Sequence, residues 1–210
     1  KVTAKQISSS VDPLRLVAAE FVRTLPPEDK ANLLPLSIID EFTPELAQAI
    51  LGKSFSQSAL DTFTSEGTVL SKSNDAIPVY RIHSLIREFL YQELSSDEST
   101  CTECHRLASL YFENELDATK ALEHAFLSKD LIRFEQLFRA GARVYAISGR
   151  GNDLLRWAKY AGDESVQGQI QRQTVEIGGH LANLSFDKAD ALKASMRLQS
   201  RGTALEGFID

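Results

Sequence analysis

Five consecutive residues, Cys101-Thr102-Glu103-Cys104-His105, match the C-x-x-C-H pattern through which c-type haem is attached. That attachment needs export and usually a distal axial ligand, for which the chain offers a single methionine, Met196. Residues 1–6 lack the apolar stretch of a signal peptide. A zinc site would need a second pair of ligands at short spacing, and the sequence contains none. We therefore expect Cys101 and Cys104 to be reduced, structural thiols.

A second candidate for chemistry is His83, which stands between a strand pattern and a helix pattern. Upstream, residues 69–72 and 79–82 are β-prone runs separated by a turn signal. Downstream, Leu85, Ile86, Phe89 and Leu90 recur with the spacing of one helix face. A hairpin that leads directly into an amphipathic helix is typical of a winged-helix domain. From the residues alone, a buried histidine bonded across the hairpin is the favoured interpretation of His83, because buried histidines are commonly satisfied polar groups without a ligand.

The other histidines and the known motifs indicate no catalytic chemistry. His124 precedes an apolar pair, so we expect it to pack or to cap a helix, and His180 belongs to no motif. The sequence has no G-x-x-x-x-G-K-[ST], so it offers no backbone loop and lysine to hold a triphosphate. It also lacks a Ser-His-Asp order and an H-E-x-x-H. We expect that this chain is not an enzyme and binds no metal.

Composition narrows the class of protein further. The 210 residues are 43% hydrophobic and 25% charged, which is typical of a soluble globular protein. The net charge of −6 makes a nucleic-acid-binding domain an unfavourable hypothesis within these residues. No apolar run approaches the roughly 18 residues that span a bilayer.

Two cysteines without an export signal favour the cytoplasm. The start at Lys1 rather than Met leads us to expect a fragment of a longer protein.

Local signals predict a mainly helical fold with one hairpin. Cap-and-proline starts at Asp12-Pro13 and Thr43-Pro44 open two helices, and Leu14, Leu16, Val17, Phe21 and Val22 should form the apolar face of the first. Two more helices are expected around residues 28–36 and 56–66. The polar run 95–100 is the best candidate for a boundary, which predicts a winged-helix domain over residues 1–94.

Residues 101–210 show helical periodicity only. Short helices joined by polar turns favour an α-solenoid arm with tetratricopeptide-like repeats over a closed bundle. The last segment, residues 177–198, is expected to be a helix pair that breaks near residues 185–187.

Several short segments of the sequence resemble motifs of the large LuxR-type, ATP-dependent transcriptional regulators that are similar to the maltose-regulon activator. These segments lie in the expected winged helix and arm, and they are Leu34-Pro35-Leu36-Ser37, Tyr80-Arg81-Ile82-His83-Ser84-Leu85, His105-Arg106-Leu107-Ala108, Ala121-Leu122-Glu123-His124-Ala125 and Gly151-Asn152-Asp153-Leu154-Leu155-Arg156-Trp157. Their order and spacing carry the resemblance over residues 10 to 160.

The resemblance implies a winged-helix domain of a signal-transduction (STAND) ATPase module, followed by the start of an inducer-sensing arm. It implies that His83 contacts the β-phosphate of ADP, and that ATP or ADP is held by an adjoining nucleotide-binding domain. It further implies self-association of the full-length regulator and DNA binding only through a C-terminal helix-turn-helix outside this chain. On this interpretation His83 is a cofactor-binding residue.

Two other classes of protein remain open. The first is a freestanding α-solenoid scaffold that binds a protein or peptide and is capped by the winged helix. The second is an exported haem protein, which a visible absorption spectrum would reveal.

Overall fold

The computed structural model describes residues 13–52, 55–65, 69–147, 149–158 and 166–200. These residues form eleven helices and one antiparallel pair of strands, which confirms the prediction of a mainly helical fold with a single hairpin. In chain order the elements are α1 (Pro13–Thr24), α2 (Pro27–Leu36), α3 (Pro44–Leu51), α4 (Gln57–Ser65), β1 (Leu70–Lys72), β2 (Tyr80–Ile82), α5 (Ser84–Leu94), α6 (Glu98–Asn114), α7 (Ala118–Leu127), α8 (Leu131–Ile147), α9 (Gly151–Ala158), α10 (Val166–Ala182) and α11 (Phe186–Ser200). No helix in the described ranges is both long enough and apolar enough to cross a membrane.

Side-chain caps explain where several of the helices begin. The Thr43 hydroxyl accepts a hydrogen bond from the Leu46 amide at the start of α3, where Pro44 takes the first helical position. Asp97 and Asp117 cap α6 and α7 in the same way, through the amides of Thr100 and Lys120. These caps lie next to the polar turns that the sequence marks as helix boundaries.

The hairpin is extended on one side by a bridge from an earlier segment. Strand β1 pairs with β2 in the register Leu70 to Ile82 and Lys72 to Tyr80. On its other side Tyr80 exchanges two backbone hydrogen bonds with Phe42, of 2.9 and 2.8 Å. The two rings stack with centroids 5.8 Å apart, and both are buried. The sheet of a winged helix is thereby tied to the segment between α2 and α3.

The chain divides into two compact units, one ending at Lys129 and the other beginning at Asp130. The first unit contains α1 to α7 and the hairpin, so α6 and α7 pack together with the winged-helix elements, α6 against α3 and α5. Its core is built from apolar residues of nearly every element, among them Leu33, Leu36, Leu46, Leu60, Ile82, Leu90 and Ala108. The predicted domain boundary at residues 95–100 lies inside this unit and stays a prediction.

One predicted apolar face is wrong in part. Helix α1 buries Ala18 and Val22, whereas Leu14, Leu16 and Val17 are 66%, 58% and 67% exposed. Part of the contact between α1 and the neighbouring helix α5 is polar, since Arg15 of α1 forms an ion pair with Glu88 of α5. A stripe of apolar residues indicates which side of a helix can be buried. How much of that side is buried depends on the helix that packs against it.

The second unit consists of α8 to α11. Phe134 and Phe138 stack inside it with ring centroids 5.6 Å apart, and Trp157 is 2% exposed. Helices α10 and α11 are separated by a turn at residues 183–185, which confirms the predicted helix pair and its break. Ile177, Ala189 and Met196 form the buried contact between them.

Candidate functional site

His83 is held by its backbone at the junction of the hairpin and α5. Its amide donates to the Val69 carbonyl, 2.9 Å away, and its carbonyl accepts from the Arg87 amide in the first turn of α5. The side chain is exposed, does not cap the helix, and makes no hydrogen bond to the residues that the structure describes. The interpretation favoured from the residues alone, a buried and bonded imidazole, is therefore wrong. His83 is bonded to the hairpin and to α5 through its backbone only.

The imidazole lines an open groove of about 990 Å³. One wall consists of the hairpin and the segment after α2, and the other consists of residues of α6 and α7, including Phe112, Lys120 and His124. All of these residues belong to the first compact unit. The groove is thus a feature of the winged helix together with the two helices that follow it.

Two ion pairs are formed by residues that line this groove. Arg81 pairs with Glu41, and Arg87 pairs with Asp40 at 2.6 Å. Arg81, Glu41 and Asp40 are exposed and Arg87 is half-buried, so water screens these pairs and each contributes little to stability. Their effect on the groove is to neutralise the two guanidinium groups that flank His83.

The start of α5 has the properties of an anion site. Its first turn contains no acidic side chain, and the residue before it provides no side-chain cap. The amides of the first turn of a helix point outward and carry partial positive charge, which favours a phosphate or carboxylate. An unbonded imidazole beside these amides can donate a further hydrogen bond, so His83 and the α5 terminus fit a phosphate group.

A pair of histidines, His105 and His124, lies in the interior of the first unit, and the sequence alone does not connect the two residues. The Nδ1 atoms of His105 and His124 are 2.8 Å apart, and the two rings are 2% and 7% exposed. Burial lowers the pKa of His105 to about 4. Burial, together with His105 and Lys120, lowers the pKa of His124 to about 3. The packing role expected for His124 is confirmed. In the sequence, His105 belongs to the haem pattern and to the segment His105-Arg106-Leu107-Ala108, and neither pattern links it to His124.

The two cysteines of that haem pattern differ in their surroundings. Both are free thiols; Cys101 is half-buried and Cys104 is 5% exposed. Burial is the main cause that raises the pKa of the Cys104 thiol to about 11. The neighbouring His105 uses Nδ1 to contact His124. Across the described ranges, no three His, Cys, Asp or Glu side chains are grouped so that they could hold a metal ion.

Four helices, α1 to α4, a hairpin bridged to an earlier segment and a closing helix, α5, define a winged-helix fold around His83. Residues 18–102 match the family model of the MalT winged helix domain, so this part of the chain is similar to that domain. No curated protein gives a significant match to the chain. The matched residues contain His83, Arg81, Arg87 and all of α5, and they end within α6.

Proposed function

We propose that this chain is an internal regulatory part of an ATP-dependent, LuxR-type transcriptional regulator. In this proposal residues 1–94 form the winged-helix domain of a STAND ATPase module, and residues 101–210 begin a tetratricopeptide-like, inducer-sensing arm. The similarity of residues 18–102 to the MalT winged helix domain supports the proposal. ATP or ADP is held by an adjoining nucleotide-binding domain, and DNA is bound by a C-terminal helix-turn-helix outside this chain.

The observation that carries the proposed role of His83 is its exposed imidazole at an uncapped helix start. In the resting regulator this imidazole donates a hydrogen bond to the β-phosphate of ADP, while the first amides of α5 face the same anion. In this proposal ADP is bound in the resting state and ATP in the active state, and the contact with His83 is made only in the resting state. Because the contact exists in one state only, it shifts the equilibrium between them toward the closed form.

The remaining parts of the proposal concern the state of the whole regulator. ATP and inducer favour an open form that associates with further copies, and the protein acts in the cytoplasm. The chain itself takes no catalytic step, since its part is to hold the nucleotide domain closed and to connect it with the arm. A phosphate-binding loop in the reading frame upstream of Lys1 would support this arrangement.

The role of His83 is tested by His83→Ala in the full-length regulator. A hydrogen bond that involves a charged group is worth about 1.5–3 kcal/mol, so ADP should dissociate at least about tenfold faster and activation without inducer should rise. The melting temperature of the nucleotide-free regulator should stay unchanged, because the imidazole makes no hydrogen bond to the described residues. His180→Ala, on α10 in the other compact unit, is the control. An unchanged ADP off-rate would refute the role.

A freestanding α-solenoid scaffold for a protein or peptide is the alternative function. The exposed apolar residues at the turn between α10 and α11, Leu184 at 75% and Phe186 at 57%, favour a surface that contacts protein. The reading frame decides between the two, because a scaffold needs no nucleotide domain before the winged helix.

A further inference from the structure

The contact between His105 and His124 joins the two helices that follow the winged helix. His105 lies on α6 and His124 on α7, 19 residues apart in the chain. In a bridge between two Nδ1 atoms, one nitrogen donates and the other must be unprotonated to accept. The bridge can therefore exist in the neutral pair or with one added proton. It cannot survive the protonation of both rings.

The first added proton is also unfavourable in this environment. A charged imidazole carries protons on both ring nitrogens, yet Nε2 of His105 is buried and has no hydrogen-bond partner among the described residues. The surrounding groups are aromatic. Phe112 stacks on His124 with centroids 5.4 Å apart, and the Tyr91 ring meets His105 edge-on at 6.1 Å. A buried charge in such a pocket is strongly disfavoured.

The charged groups on α6, α7 and α3 do not offset the positive charge of the added proton. On α7, Lys120 adds positive charge and lowers the pKa of His124 further. On α6, the neighbouring Cys104 is a thiol whose pKa is raised. Helix α3, which packs on α6, has one ionisable residue, Glu45, and it is exposed.

The elements on the other sides of α6 bring no nearby anion either. Helix α5 presents the phenol ring of Tyr91 to the pair. The ionisable residues of α2 lie in its first turn, at Glu28, Asp29 and Lys30, where Lys30 pairs with Glu93 at 2.8 Å. On the sides formed by α2, α3 and α5 the imidazole pair thus meets no anionic group. On the side of the groove His124 shares the lining with Glu123, Asp40 and Glu41, yet the pKa of His124 stays lowered by burial, His105 and Lys120.

We propose that the His105–His124 bridge is an acid-sensitive contact that holds α7 against α6 and is released by protonation. When the helices separate, the two imidazoles meet water and return to an ordinary pKa near 6.5. The open form therefore binds more protons than the closed form at any pH between about 6.5 and 4. The closed contact is fully stable above pH 6.5 and weakens as the pH falls through this window.

The release has a defined consequence for the groove. Lys120 and His124 line the wall of the groove that lies opposite His83. Separation of α7 from α6 would remove the part of that wall that α7 supplies. Each histidine contributes at most about a tenfold change in the opening equilibrium per pH unit, so mild acidification is sufficient to change the population of the open form.

Hydrogen exchange of the full chain at pH 7 and pH 5, corrected for the intrinsic exchange rate, tests the proposal. We expect the amides of α6 and α7 to lose protection about tenfold or more at pH 5, while those of α9 and α10 do not. His83→Gln, which removes an exposed imidazole from the same unit, should show the same loss. The double variant His105→Leu/His124→Leu should abolish the pH dependence.

The proposal is overturned if the wild-type chain shows no loss of protection in α6 and α7, or if the double variant retains it. Because the double variant could fail to fold, an NMR titration of the wild-type imidazoles provides an independent test. We expect both to stay neutral in the folded chain to below pH 5. Titration of His105 and His124 near pH 6.5 without any helix opening would refute the proposal.

Discussion

Gly151 and Gly179 lie directly against each other where α9 packs on α10. A Cβ atom on Gly151 would overlap the carbonyl oxygen of Gly179 and would lie 2.5 Å from the Asn183 side-chain oxygen. A Cβ on Gly179 would lie 3.0 Å from the Gly151 carbonyl. The two helices approach this closely because neither residue carries a side chain, and Leu154, Trp157 and Ala158 are buried on the same helix α9.

Gly151→Ala should destabilise the second unit by about 2–3 kcal/mol, because the overlapping atom belongs to the backbone and cannot move aside alone. Gly178→Ala is the matched control. It lies in the interior of α10 with open space around its Cβ position, so it should stabilise the helix by about 0.5–1 kcal/mol. Urea unfolding followed by the fluorescence of Trp157, the single tryptophan, measures both. Equal effects of the two substitutions would contradict the close approach.

Leu116→Gly should stabilise the first unit by up to about 1 kcal/mol. Leu116 closes α6 with a φ of 59° and its side chain is 89% exposed, so it bears left-handed strain without a packing gain. Glycine relieves that strain but adds entropy to the unfolded chain, which reduces the net gain. Leu116→Ala keeps the strain and should change little. Urea unfolding followed by circular dichroism separates the two variants, and a loss of stability in Leu116→Gly would argue against the turn.

The two cysteines should differ strongly in their reaction with a thiol reagent. Cys104 is buried, and its pKa of about 11 leaves a thiolate fraction at pH 8 that is about a hundredfold lower than that of an ordinary thiol. One equivalent should therefore react in the native chain, at the half-buried Cys101, and the second only in denaturant. Mass spectrometry of the labelled peptides identifies the site. Rapid labelling of Cys104 without denaturant would show that α6 is open.

The isolated chain should neither hydrolyse ATP nor bind DNA tightly at physiological salt. Its net charge of −6 repels a polyanion, and its sequence contains no phosphate-binding loop. A phosphate-release assay and a fluorescence-anisotropy titration with duplex DNA measure the two activities. Sequence-specific binding by this chain would show that DNA recognition does not require the proposed helix-turn-helix.

Local signals in the sequence were sufficient to predict the order of helices and strands around His83. The Thr43-Pro44 start of α3, the two β-prone runs and the apolar spacing of α5 each act within a few residues, and the structure has all three. They predict the hairpin, the closing helix and the position of His83 at their junction. Helix caps and turns depend on neighbours in the chain, so a single sequence is enough to locate them.

Only the tertiary structure decided which side chains are covered and which of them meet. The exposure of His83 and of Leu14, and the approach of His105 to His124, depend on contacts between elements that are distant in the chain. Periodicity shows that a residue can face a core, but the packing of the neighbouring helix determines whether it is buried there. For the same reason the sequence alone could relate the two buried histidines to separate motifs, but not to each other.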